Sequence, residues 1–246
     1  MPIAGTDLIA YKSLNANSDG GAIDTSRPIT SGVLDNLFDD ITGAEATTGG
    51  TDYRKYYAKN TNGSLTWLAV GTWIRQQPPG ATIYIGVGKD DAADADATQG
   101  NLVQLNANAK VSLQSDGADT RNVTVEGLDT GGNYLTETNA LTGTTPVLTT
   151  ATFSFVTRVY AASTDGSRTV TIKQGSGGPV IGTIAPTKIV SWVWTNTAVG
   201  AATALKHGDI GPGSDVAIWL KRTWAAGASA VSGTTPITHT EGQTTP

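Results

Sequence analysis

The chain has 246 residues, of which 38% are hydrophobic and only 15% charged, with 30 glycines, a formal net charge of −5 and no cysteine. That length can bury a sizeable core as one large β domain or two smaller ones, and the low charge content does not fit a disordered acidic tail. The charge balance leaves no electrostatic footprint for nucleic acid, and the missing cysteine excludes disulfides, thiolate metal sites and a cysteine nucleophile.

The first residues, Met1-Pro2-Ile3-Ala4-Gly5-Thr6-Asp7, lack a basic start followed by an apolar run, so no signal peptide is expected. No apolar stretch approaches the ~20 residues that cross a bilayer, so no membrane partner is expected either. Residues 1–50 read as an arm carrying one short helix over about 31–42. Thr30 and Ser31 are candidate N-caps and Gly43 stands where a C′ glycine belongs. Val33, Leu34, Leu37, Phe38 and Ile41 then form one apolar stripe, with Asp35, Asn36, Asp39 and Asp40 largely facing the other way. A helix this short is not stable alone, so the stripe must dock on the chain's own β domain or on a neighbouring subunit. Those five residues are the candidate partner-binding set. Residues 44–51 (AEATTGGT) read as a flexible connector.

From Tyr53 the pattern becomes β. Strands are expected over 52–60, 65–75 and 82–88, separated by the turns Asn60-Thr61-Asn62-Gly63 and QQPPG at 76–80. Residues 89–100 (KDDAADADATQG) have no periodicity and read as a loop. Short strands recur at 111–114, 122–126, 134–139, 153–160, 169–173 and 180–184, joined by Gly-, Asp- and Asn-rich turns, a spacing that suggests a β-sandwich. Aromatic-rich strands return at 189–195 and 216–222, and residues 240–246 read as a loose tail. All six Trp residues (67, 73, 192, 194, 219, 224) lie in the two flanks. The expected organisation is therefore an outer β-sandwich from 53–100 plus 187–242, interrupted by a second β-sandwich over 101–186.

Chemistry-bearing residues are sparse. His207, beside an expected turn with Ser214 and Asp215 nearby, has no nucleophile-elbow motif around it and reads as a surface histidine. Glu126 and Glu137 flank the DTGGN turn at 129–133, where they are expected to face each other or cross-strand threonines on an exposed hairpin. Asp90, Asp91, Asp94 and Asp96 offer oxygen ligands of the kind that suit Ca²⁺, without EF-hand order, so a solvated linker is the competing reading. The glycine runs at 20–21, 49–50, 131–132 and 175–178 precede no helix and read as turns, so no cofactor is expected. The Trp and Tyr residues suit core packing, an inter-subunit contact or a sugar-stacking platform.

Three stretches resemble a family of tailed-bacteriophage virion structural proteins. One is Asp7 to Lys12 (DLIAYK) through Gly20-Gly21-Ala22-Ile23 and 31–45 (SGVLDNLFDDITGAE) into Tyr53-Arg54-Lys55 and 59–65 (KNTNGSL). Another is 208–215 (GDIGPGSD), followed by 216–222 and Ala225-Ala226-Gly227-Ala228. The third combines 123–127 (VTVEG), 132–138 (GNYLTET), 141–147 (LTGTTPV) and Thr152-Phe153, which look like the small β domains of phage capsid and tail accessory proteins.

The resemblance implies a mainly β chain: an Ig-like sandwich closing around an inserted sandwich, with an N-terminal arm. It implies a non-enzymatic capsid cement, decoration or neck and tail accessory protein, present in several copies in the virion. Its partners would be the major capsid or neck and tail proteins. On that view, deleting residues 1–50 abolishes incorporation into particles and leaves the β domains folded. Recognition of host glycans through exposed aromatics is the alternative.

Overall fold

The computed structural model describes residues 3–15, 20–33, 35–89, 94, 96–228 and 237–243. Among these the chain is mainly β, as the alternating patterns predict. The first strands in chain order are β1 (Leu8–Ser13), β2 (Ile23–Pro28), β3 (Gly50–Asn60), β4 (Trp67–Gln76) and β5 (Thr82–Val87), with a short helix α1 (Gly43–Thr48) before β3. Next come β6 (Val111–Ser115), β7 (Asn122–Asp129), β8 (Tyr134–Ala140), β9 (Val147–Leu148), β10 (Phe153–Ala161), β11 (Val170–Gln174), β12 (Val180–Ile184) and β13 (Val190–Trp192). The last are β14 (Leu205–Ile210), β15 (Asp215–Trp224) and β16 (Ile237–Gln243).

The chain divides into two compact units. The first comprises Met1–Gly86, Asp90–Ala97 and Trp194–Pro246, and the second Val87–Lys89 and Thr98–Val193. The second is thus inserted in sequence into the first. Residues 187–193, expected in the outer domain, belong to the insert: β13 pairs with β10, Trp192 lying opposite Arg158. In the first unit the chain departs and returns at adjacent points, because Ile85 and Thr195 exchange backbone hydrogen bonds of 2.8 and 2.9 Å.

The first unit has a five-stranded sheet, β2-β1-β3-β15-β5, and a three-stranded sheet, β14-β4-β16. Its axis is the β3–β15 ladder, antiparallel and continuous from Asp215 opposite Lys59 to Trp224 opposite Gly50. Arg54 to Ala58 and Val216 to Leu220 are all buried, so both faces of this ladder are covered. That explains why β3 shows no clean alternation: a strand covered on both sides has no wet face. Tyr56, Ala58, Ile218 and Leu220 lie on one face, where the Tyr56 hydroxyl reaches Thr238 Oγ1 at 3.4 Å. Lys55, Tyr57, Ala217 and Trp219 lie on the other. The diglycine at 49–50 is a close approach, since a Cβ on Gly50 would come within 2.5 Å of the Trp224 ring.

Within residues 1–50 the two described strands join the sheet of the first unit. β1 continues the sheet beside β3, from Leu8 opposite Asn60 to Lys12 opposite Tyr56, and β2 pairs with β1. Among the described residues of 31–42 there is no helix; turns and bends recur there instead, with Asp35 at φ 54°. The helix starts at Gly43, the residue expected just past its end. Thr42 and Glu45 form a reciprocal cap, Thr42 Oγ1 accepting from the Glu45 amide (3.3 Å) and Glu45 Oε2 from the Thr42 amide (2.8 Å). This capping box outweighs the weaker signal at Thr30 and Ser31.

The second unit has two four-stranded sheets, β13-β10-β7-β8 and β12-β11-β6-β9. All six strands expected between 111 and 184 are present, and Val111, Leu113, Val123, Val125, Val159, Val170 and Ile172 form its buried interior. Each unit thus pairs two antiparallel sheets in the manner of a β-sandwich.

Because β1 and β2 are integral to the sheet, deleting residues 1–50 should unfold the first unit rather than spare it. Calorimetry of the truncated chain should show the second unit's transition alone. Two transitions at their original temperatures would contradict this placement.

Candidate functional site

On the face of the β3–β15 ladder that bears Lys55 and Trp219, the side chains reach solvent near the Trp224 end. Tyr53 and Lys221 are cross-strand partners there. Tyr84 comes from the neighbouring strand β5, and Trp194 is placed by the Ile85–Thr195 pairing. Lys221 Nζ sits 4.4 Å from the Tyr84 ring centroid and 5.1 Å from that of Trp194, both within cation–π range. The Tyr53 and Trp194 rings are 5.9 Å apart and tilted by 45°. Tyr53 is 37% exposed and the other three are half-buried. Burial holds the Lys221 ammonium below the usual lysine range. A shallow groove lined by Gly80, Ala81, Thr82, Thr223, Trp224 and Ala225 lies at the same end of these strands. Tyr53, Tyr84 and Trp194 thus make a partly exposed aromatic platform around a cation.

Further along the same face, Lys55 and Asp94 are both completely buried. Nζ lies 3.3 Å from Asp94 Oδ2 and also donates to the Asp94 backbone carbonyl. Trp219 Nε1 donates to Asp94 Oδ1 at 3.2 Å, and the rings of Tyr57 and Trp219 flank the amine at 5.1 and 5.6 Å. Asp94 is therefore not part of a solvated linker. Asp90 and Asp91 lie outside the described residues, Asp96 is half-buried, and no cluster of three potential metal ligands occurs among the described residues.

The opposite face carries two buried arginines. Arg54 donates to the Leu37 carbonyl (Nε, 2.9 Å) and to Asp39 Oδ1 (Nη2, 2.9 Å). Arg222 donates to the Asp39 carbonyl (2.7 Å) and to Asp52 Oδ2 (2.5 Å). Both guanidinium groups lie against the Phe38 ring, at 5.3 and 4.7 Å. Ile41 packs with Ala46 and Trp224, whose Nε1 donates to the Glu45 carbonyl at 3.0 Å. The five-residue stripe consequently does not form one surface. Phe38 and Ile41 are buried in the chain's own fold, Leu37 is half-buried, Val33 is 48% exposed, and Leu34 lies outside the described residues.

In the second unit the outer face of the β10-β7-β8 sheet holds Glu126 against Arg158 at 2.5 Å, both nearly inaccessible, with Tyr134 and Tyr160 beside them. Arg158 Nη1 also donates to the Gly88 carbonyl, and Lys89 lies 4.9 Å from the Tyr160 ring. Burial, then the Glu126 charge, pushes the Tyr134 phenol far above its ordinary range, so it remains protonated.

Glu126 pairs across the sheet with Thr136, whereas Glu137 pairs with Val125, so the two glutamates project from opposite faces and cannot act on one substrate. Burial raises the Glu137 carboxyl, but the amides of Ala151 (2.9 Å) and Thr150 (2.6 Å) outweigh it and hold the group below the usual carboxylate range. His207 is not a surface residue. It is buried on β14, with Nε2 bonded to Thr72 Oγ1 at 2.8 Å. Asp215 pairs with Lys59 at 3.1 Å. Among the six Trp residues, 67, 192, 219 and 224 are buried, and Trp73 and Trp194 are half-buried.

Sequence reasoning grouped the aromatics but missed their convergence on Lys221. The available signal was a lysine inside an aromatic-rich strand, directly opposite a tyrosine once β3 and β15 are paired. No family model, no curated protein and no solved structure matches the chain.

Glu126→Ala leaves Arg158 buried without its carboxylate and should cost the second unit about 3–5 kcal/mol, whereas replacing both residues with Met should recover most of the loss. Urea unfolding of the three proteins checks this, and a single-variant loss below about 1 kcal/mol would contradict it.

Proposed function

We propose that this chain is a non-enzymatic structural protein of a tailed-phage virion, bound to capsid or to neck and tail proteins through the Tyr53–Tyr84–Trp194–Lys221 platform. The platform carries the proposal. Tyr and Trp are enriched in protein interfaces because rigid rings give large contact area for little lost rotamer entropy, and here one cation is held among them. Val33 adds an exposed aliphatic contact, while Phe38 and Ile41 act inside the fold rather than as an anchor. The polar groups that a hydrolase would deploy have internal structural roles: Glu126 holds Arg158, Glu137 caps two amides and His207 bonds Thr72. Several copies on a symmetric particle turn modest individual contacts into firm attachment.

The same platform favours a second reading, recognition of host glycans, since tilted aromatic rings also stack against the apolar face of a sugar. Tyr53→Ala combined with Trp194→Ala separates the two. The virion reading expects the variant to melt like the parent and to be missing from purified particles, as judged by mass spectrometry. Normal incorporation with lost binding on a glycan array supports the glycan reading instead. Normal incorporation with unchanged glycan binding defeats both.

A further inference from the structure

We propose that Lys55 and Asp94 become joined by an amide bond between Nζ and Cγ, an intramolecular cross-link between strand β3 and the segment that precedes the insert. Both side chains have no solvent exposure, Nζ and Oδ2 are 3.3 Å apart, and the walls of the site are the Tyr57 and Trp219 rings. A fully desolvated ammonium–carboxylate pair is expensive to keep charged, and transfer of one proton converts it to a neutral amine and a carboxylic acid. A desolvated lysine amine is a nucleophile. It is aimed at the carboxyl by the pairing of Lys55 with Trp219 in the ladder and by its hydrogen bond to the Asp94 carbonyl.

The step balances without an oxidant or co-reactant. The Nζ–Cγ bond forms and the Cγ–Oδ2 bond breaks. The ammonium has three protons: two depart with Oδ2 as water and one stays on the amide nitrogen. Oδ1 remains as the amide carbonyl. Negative charge develops on that atom during the attack, and the Trp219 indole N–H already donates to it at 3.2 Å, as an oxyanion donor would. Fixed proximity replaces an encounter between two solutes, which accounts for reaction of an otherwise sluggish pair. The product keeps the Trp219 hydrogen bond and removes two charges from the core. The two residues are 39 apart in sequence, so the bond closes a loop that contains β4 and β5. It would tie residue 94 covalently to the central ladder of the first unit.

The test is the intact mass of the full, denatured chain, followed by proteolysis and tandem mass spectrometry. The expected mass is lower than the sequence mass by one water, with a branched peptide joining residues 55 and 94. Lys55→Arg, which keeps the charge but not the nucleophile, and Asp94→Ala should both return to their full sequence masses. A wild-type chain at full mass overturns the proposal. So does a water loss that maps only to Asp19-Gly20, Asp116-Gly117 or Asp165-Gly166, where aspartyl-glycine sequences can cyclise to succinimides that mild alkali reopens.

Discussion

Everything in the first unit depends on the pairing of β3 with β15, which brings residues about 160 positions apart in the chain into one continuous ladder. β1 extends from one side of it and β5 from the other. The ladder sets Tyr53 opposite Lys221, Lys55 opposite Trp219 and Arg54 opposite Leu220, and so positions the platform, the buried pair and the arginine cluster at once. A slip of one residue would exchange the faces and place Lys55 and Arg54 against the wrong partners. Each of these groups is therefore also a register lock, because a buried cation is tolerated only where its acceptors wait.

Cores of this kind give their charged residues specific positional duties. Arg54 and Arg222 tie residues 37–39 to the sheet through backbone carbonyls as well as Asp39, and they rest on Phe38, so a stretch with no regular secondary structure is held firmly without a helix. In the second unit Arg158 does the same for residue 88, with Glu126 balancing its charge. Polar groups used in this way stabilise only as sets, and removing one member leaves the others buried and unmatched.

The strands of the insert were legible in the sequence because short β-prone runs recur there between Gly-, Asp- and Asn-rich turns. The discontinuity of the outer unit was legible from tryptophan placement, although Trp192 itself belongs to the insert. Less visible were elements whose signal is tertiary. β14 was hidden because Lys206-His207-Gly208-Asp209 has turn chemistry. Gly208 does take a positive φ of 79°, but it does so at register shifts inside a strand. β1 and β2 were read as part of an arm and the end of β16 as part of a loose tail, because sheet membership comes from distant partners. The helix was displaced because hydrophobic spacing at 33–41 resembles a helical stripe, while the side chains of Phe38 and Ile41 actually enter the core from an irregular chain. The candidate site followed the same rule: aromatics were visible one by one, and their grouping around Lys221 required the β3–β15 register.

This ladder is the structural spine of the first unit. Residue-resolved native-state hydrogen exchange addresses it directly. The amides of Tyr56, Tyr57, Ile218 and Trp219 should be the slowest to exchange in that unit, opening only with its global unfolding, while those of β2 exchange through local openings. Exchange of the four ladder amides as rapid as that of β2 would contradict it.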